Sequence, residues 1–330
     1  MRRIDSYSTA RECLISDGDL EFVNEALVDF PESHFGNEQR KILGDIASSI
    51  MANANQPKID ESYQFTEFTG NPLAVALGFF QQINNPLMAS KVQTLLDGFD
   101  DRFSVELTND RRSTGNVKTA NHKSIICISQ NGTTEDIFTA IHEIAHPFDL
   151  DTHTPSGSNP ARDVLGEVVP IALELIACDQ LTENGAITSS DATSKVAELR
   201  QATYYNTVET KLRLDLLDRT QRSWTGKIDH PEFTKAIEQL NIDQKALPLF
   251  LNRSASHIRT DYRPYRYMIA RLLSPKIYRH YQASPTGTMT NLNNFQHAIS
   301  NNDIESALNS IDVELDSLNL PELASLFDSL

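Results

Sequence analysis

The chain has 330 residues, and its 45 aspartates and glutamates against 29 lysines and arginines give a formal net charge of −16. This negative charge disfavours nucleic acid or an anionic membrane as the main partner, because phosphate binding needs a basic surface. Hydrophobic residues make up 39% and charged residues 22% of the sequence, which is typical of a globular protein with one large domain or two modest ones.

The N-terminal segment has two arginines but no apolar core, so a secretory signal is not expected. No apolar run approaches the ~20 residues that span a bilayer. Cys13, Cys127 and Cys178 lie far apart, which argues against a disulfide framework or a thiolate zinc site. We therefore expect a cytoplasmic protein, or one exported without a cleavable signal peptide, as a secreted effector could be.

The first hundred residues read as helices. Apolar residues recur every three or four positions in "DGDLEFVNEALVDF", "NEQRKILGDIASSIMANA", "NPLAVALGFFQQI" and "PLMASKVQTLLDGF". Between residues 101 and 133, "RFSVELT" alternates and "KSIICIS" is a β-branched run, while "NDRRSTGN" and "QNG" indicate turns. These two runs predict a small sheet, with "KSIICIS" as an edge strand.

Helical patterns return after residue 133. They cover residues 134–146, 160–181, 189–219, 231–241, 262–283 and 302–316. The clearest loops between them are "TPSGSNP", "TENGAITSSD" and "ASPTGTMT". The pattern therefore predicts a mainly α fold with a small β-sheet.

The segment "FTAIHEIAHPFDL" (138–150) contains the candidate catalytic residues. A helix capped by Thr133 or Thr134 places His142 and His146 on one face, one turn apart, so that both imidazoles can reach one metal ion. Glu143 is turned by about 100° from His142, where it can take a proton from a water that zinc has made more acidic. This His-Glu-x-x-His pattern predicts a catalytic zinc site.

A third zinc ligand is expected from the helix "ARDVLGEVVPIALELIACDQL" (161–181). Glu167 follows His146 by 21 residues, and Glu174 lies two turns further along the same face. Catalytic zinc sites use three protein ligands, so we assign Glu167 as a ligand and Glu174 as an acceptor that orients a histidine. The alternative candidates for the third ligand are Glu174 itself, Asp149, Asp151 and His153.

The motif followed by "GEVVPIALE" resembles the oligoendopeptidase F and thimet oligopeptidase family, which are HExxH (gluzincin) zinc metallopeptidases. The resemblance implies a zincin-like catalytic domain with a small sheet beside the motif helix and a channel for short peptides. It also implies that Glu167 is the third ligand. The segment "SHIRTDYRPYRYMIARLL" (256–273) resembles a family helix that closes over the substrate. Its implied oxyanion donors are His257 with Tyr262, Tyr265 or Tyr267.

Two features of this sequence, its length and Pro147, differ from what is typical of that family. Typical members are far longer, and the resemblance extends only over residues 101 to 320. We therefore divide the chain into a helical region, 1–100, and a catalytic region, 101–330, or treat both as one continuous domain. Pro147 directly follows His146 and should end or kink the motif helix there.

The predicted function is that of a zinc-dependent endopeptidase acting on a peptide or protein substrate, with Glu143 as general base. The alternative is a non-catalytic helical interaction protein, or a secreted effector that keeps a peptidase-like frame. The sequence does not indicate the oligomeric state or the preferred side chains of the substrate.

Overall fold

The computed structural model describes residues 36–53, 63–83, 85–107, 114–120, 123–147, 160–220, 235–238, 240 and 263–313. The helices are α1 (Asn37–Asn53), α2 (Pro72–Gln82), α3 (Pro86–Leu96), α4 (Phe99–Arg102), α5 (Glu135–Ala145), α6 (Pro160–Leu165), α7 (Val168–Glu183), α8 (Ser189–Thr220), α9 (Pro264–Ala283), α10 (Pro285–Ser300) and α11 (Ile304–Asn309). The strands are β1 (Phe103–Leu107), β2 (Thr114–Ala120) and β3 (Lys123–Gln130). The prediction of a mainly helical fold with a small sheet is confirmed.

The chain forms two compact units, and each is built from two separate stretches of sequence. One consists of Met1–Ser62 with Gln201–Met268, and the other of Tyr63–Arg200 with Ile269–Leu330. The second unit contains the sheet, α5 and α7. The predicted boundary near residue 100 stays a prediction. Among the helices of the described ranges, none combines the length and the apolar character that a membrane crossing requires.

The sheet has three strands in the order β1-β3-β2. Strand β3 is parallel to β1 and antiparallel to β2, with Gly115 of β2 opposite Ile128 of β3. The prediction of "KSIICIS" as an edge strand is therefore wrong, because β3 is central. The turn predicted at "NDRRSTGN" is also partly wrong, since its last three residues begin β2. Pairing along β3 stabilises β2 although glycine, asparagine and alanine have low strand propensity.

Backbone amides that precede helix α5 are held by a carboxylate from its first turn. Asp136 accepts hydrogen bonds from the backbone N–H groups of Asn131, Gly132 and Thr133 at 2.8–3.3 Å. Gly132 has φ of 78°, which glycine adopts without strain. Thr134 is the N-cap residue, as one of the two expected, but its side chain makes no capping hydrogen bond. The Asp136 carboxylate instead holds the turn that leads into the helix.

Three of the predicted helical boundaries are wrong, and one of them is the end of the helix expected over residues 302–316, which stops at Asn309. The single helix expected over residues 160–181 is two helices, α6 and α7, separated by a turn at Gly166 and Glu167. The loop expected at "ASPTGTMT" instead enters α10, which has Pro285 at its first position. Proline is well accommodated there because the first N–H of a helix has no intrahelical partner.

Asp191 ties three segments of the second unit together. Its fully buried carboxylate accepts from the Thr66 backbone N–H at 2.7 Å and from the Thr134 hydroxyl at 2.7 Å. It also accepts from the Thr188 backbone N–H at 2.8 Å, while the Thr188 hydroxyl accepts from the Asp191 N–H at 3.1 Å. This reciprocal pair is a capping box at the start of α8. The start of α5 is thereby fixed to α8.

Replacing Asp191 with alanine should lower the free energy of unfolding by about 3 kcal/mol, because buried donors lose their acceptor. Urea denaturation measures this, with exposed Asp100→Ala as the control. Burial alone would raise the pKa of Asp191, but hydrogen bonds from Thr188, Thr66 and Thr134 lower it from 3.8 to about 2. The stabilisation by Asp191 should therefore be complete above about pH 4 and disappear as the pH falls to 2. Equal stability of Asp191→Ala and Asp100→Ala would contradict this role.

Candidate functional site

Helix α5 positions the two motif histidines. It contacts β2, β3, α2 and α7, and its buried residues include Phe138, Ile141 and Ile144. The side chains of His142 and His146 stay 15% and 19% exposed, with ring centroids 4.9 Å apart. Apolar residues thus anchor the helix while both imidazoles stay accessible.

Helix α5 ends at Ala145, two residues before Pro147, so the predicted end of the helix at the proline is confirmed. His146 nevertheless keeps helical geometry, with φ of −60° and ψ of −44°. Its side chain therefore remains on the same face as that of His142, one turn away.

Glu167 brings a third metal-binding group to the histidines. Its Oε2 lies 3.2 Å from Nε2 of His142 and 3.6 Å from Nε2 of His146, and its side chain is 4% exposed. The residue lies in the turn before α7, with φ of −93° and ψ of −7°, rather than within a helix as expected. The ligand atoms of the three residues all lie within 4.8 Å of one another. Two imidazoles and one carboxylate converging at this spacing fit a divalent transition metal such as zinc.

Glu174 approaches His142 from the other side. Its Oε1 lies 2.6 Å from Nδ1 of His142, so Nδ1 donates to the carboxylate and Nε2 points to Glu167. Burial alone would lower the pKa of His142, but the hydrogen bonds with Glu167 and Glu174 overcome that effect and raise the pKa to about 10. A cation at Nε2 would replace the proton held there, since metal ligation and protonation compete for the same lone pair.

Lys195 of α8 is a part of the site that the sequence analysis did not identify. Its Nζ lies 2.6 Å from Oε2 of Glu174 and 2.9 Å from Oε2 of Glu198. Burial alone would raise the pKa of Glu174, but Lys195 and then His142 outweigh it and lower the pKa to about 2. Glu174 is therefore an ionised acceptor for His142. No motif marks Lys195, which follows His142 by 53 residues and lies in the long helix α8.

Glu143 is buried, with 7% of its surface exposed. Burial raises its pKa to about 7, although His142 acts in the opposite direction. Strand β2 passes over this side chain at Gly115, where an added Cβ would lie 2.4 Å from Cγ of Glu143. Only glycine at position 115 therefore leaves room for the Glu143 side chain. A carboxyl group with a pKa near neutrality is suited to accept and return a proton.

The expected oxyanion donors lie outside the described residues or in the stretch assigned to the other compact unit. His257 and Tyr262 lie outside the described residues, as do the alternative ligands Asp149, Asp151 and His153. Tyr265 is buried, with 2% exposed, at the start of α9, in the stretch assigned to the other compact unit. The roles of His257, Tyr262 and Tyr265 stay predictions.

No protein-family model matches the sequence, and no curated protein matches it significantly. Three solved structures with a similar fold are described as peptidases. A protein assigned as oligoendopeptidase F from Bacillus anthracis str. Ames aligns with a TM-score of 0.59 at 10% identity, over 96% of this chain and 55% of its own. PZ peptidase A with an inhibitor aligns with a TM-score of 0.62 at 9% identity, over 90% and 59%.

A further structure assigned as oligoendopeptidase F aligns with a TM-score of 0.63 at 11% identity, covering 98% of this chain and 64% of its own. The chain therefore spans 55–64% of the length of these three structures. At sequence identities this low, the structural alignments establish a shared fold and do not extend to individual residues or activity. The fold is that of the oligoendopeptidase-like helical proteins.

Glu167→Gln should weaken zinc binding by more than about 100-fold, beyond the 10- to 100-fold that is typical of residues which only orient a ligand. The substitution keeps the shape of the side chain but removes the charge. Equilibrium dialysis with metal analysis measures the affinity, and Glu183→Gln, at the exposed end of α7, is the control. Unchanged affinity in Glu167→Gln would contradict its role as the third ligand and leave Glu174, Asp149, Asp151 and His153 as the alternatives.

Proposed function

We propose that this protein is a zinc-dependent endopeptidase. The observation that carries the proposal is the convergence of His142, His146 and Glu167, whose ligand atoms lie within 4.8 Å of one another beside the buried carboxyl group of Glu143. The fold shared with oligoendopeptidase F structures and PZ peptidase A supports a peptide or protein as the substrate.

His142, His146 and Glu167 would hold the metal. Zinc, when bound, polarises a carbonyl group and makes water more acidic. Glu143 would take the proton from the attacking water and pass it to the leaving amine nitrogen. Its burial and its pKa near 7 suit both transfers. Tyr265, with His257 and Tyr262, would donate hydrogen bonds to the oxyanion of the tetrahedral intermediate.

Glu143→Gln should bind zinc as the unchanged protein does and hydrolyse peptides at least about 100-fold more slowly, because the amide cannot accept the proton. Cleavage of an internally quenched peptide library measures hydrolysis, and metal analysis measures zinc. Glu305→Gln, an exposed residue of α11, is the matched control. Hydrolysis by Glu143→Gln at the unchanged rate would exclude this mechanism. A chain that binds zinc in no preparation would instead support the helical interaction protein.

Gly115→Ala should also slow hydrolysis by about 100-fold while zinc stays bound, because the added methyl group displaces Glu143 and not the ligands. Gly78→Ala is the matched control: it lies in α2, where an added Cβ meets nothing within 4 Å. It should keep full activity and equal or higher stability. Peptide cleavage and zinc content, measured side by side, test the prediction. Full activity in Gly115→Ala would contradict the tight approach of β2 to Glu143.

A further inference from the structure

Lys195 is a buried cation that is connected to His142 through one intervening side chain, that of Glu174. It is 7% exposed, and its ammonium group lies 5.5 Å from the ring centroid of Phe138. Burying an ammonium group is costly unless charge partners compensate it. Carboxylate oxygens of Glu174 and Glu198 lie within 2.9 Å of Nζ of Lys195. The charge of Lys195 also acts on Glu135: burial raises the pKa of that carboxyl group, and Lys195 acts in the opposite direction.

A single carboxylate connects Lys195 to His142. Oε2 of Glu174 accepts from Nζ of Lys195 at 2.6 Å, and Oε1 accepts from Nδ1 of His142 at 2.6 Å. Each oxygen therefore has its own partner, and the plane of the carboxylate is fixed from both ends.

We propose that Lys195 is a positioning residue for the metal site: it holds Glu174 in the orientation that keeps the Nδ1–H of His142 engaged and directs Nε2 towards the metal. This inference rests on the proposed function. It assigns Lys195 no contact with substrate or metal. Partners that orient ligating histidines typically change metal affinity by about 10- to 100-fold when they are removed.

The measurement is zinc affinity, determined by competition with a chromophoric chelator. Lys195→Met should weaken zinc binding by about tenfold or more, because Glu174 loses the partner of Oε2. Adding Glu174→Gln to Lys195→Met should restore most of the affinity, because the amide oxygen still accepts from Nδ1 and carries no charge that needs the ammonium group. Lys211→Met is the matched control: Lys211 lies on the same helix, pairs with Asp215 at 2.8 Å and is 29% exposed.

Three results would overturn the role of Lys195. They are zinc affinity in Lys195→Met equal to that of the unchanged protein, a loss no greater than in Lys211→Met, and a loss that the second substitution does not repair. Lys195→Gln replaces Lys195→Met, with the same expectations, should the methionine variant not fold. A chain that binds no zinc before any substitution would instead refute the proposed function itself.

Discussion

The imidazole of His142 lies between two buried carboxylates, and this arrangement constrains the rest of the site. Glu174 engages Nδ1 at 2.6 Å and Glu167 approaches Nε2 at 3.2 Å, so the orientation of the ring is fixed from both sides. Both glutamates come from one short stretch, the turn before α7 and α7 itself. The apolar packing of α5 against α7 therefore sets the geometry at both nitrogens at once.

Burial of several carboxylates in one place also indicates what the site would bind. Glu143, Glu167 and Glu174 are each at most 7% exposed, and the carboxylates of Glu167 and Glu174 lie 3.2 Å and 2.6 Å from ring nitrogens of His142. Buried negative charge is costly unless cations compensate it. Lys195 compensates Glu174 directly. A divalent cation at His142, His146 and Glu167 would compensate the remaining charge, which is the electrostatic basis of the proposed zinc site.

Local periodicity explains what the sequence predicts well. The 3.6-residue helical repeat brings His142 and His146 to one face, and apolar neighbours indicate that Glu167 and Glu174 are buried. Strand β2 and Lys195 are different, because each depends on distant partners. Strand β2 exists through its pairing with β3, and Lys195 of α8 approaches Glu174 of α7 from a different helix. Neither a glycine-containing segment nor a lone lysine carries a local signal of those contacts.

The most direct test of the account is a crystal structure of the protein grown with zinc, with anomalous diffraction measured on both sides of the zinc absorption edge. One strong peak is expected, with Nε2 of His142, Nε2 of His146 and a carboxylate oxygen of Glu167 within about 2.0–2.2 Å. Glu174 should remain hydrogen-bonded to Nδ1 of His142. A peak coordinated by other residues, or no peak between these three side chains, would contradict the metal site on which the proposed peptidase function depends.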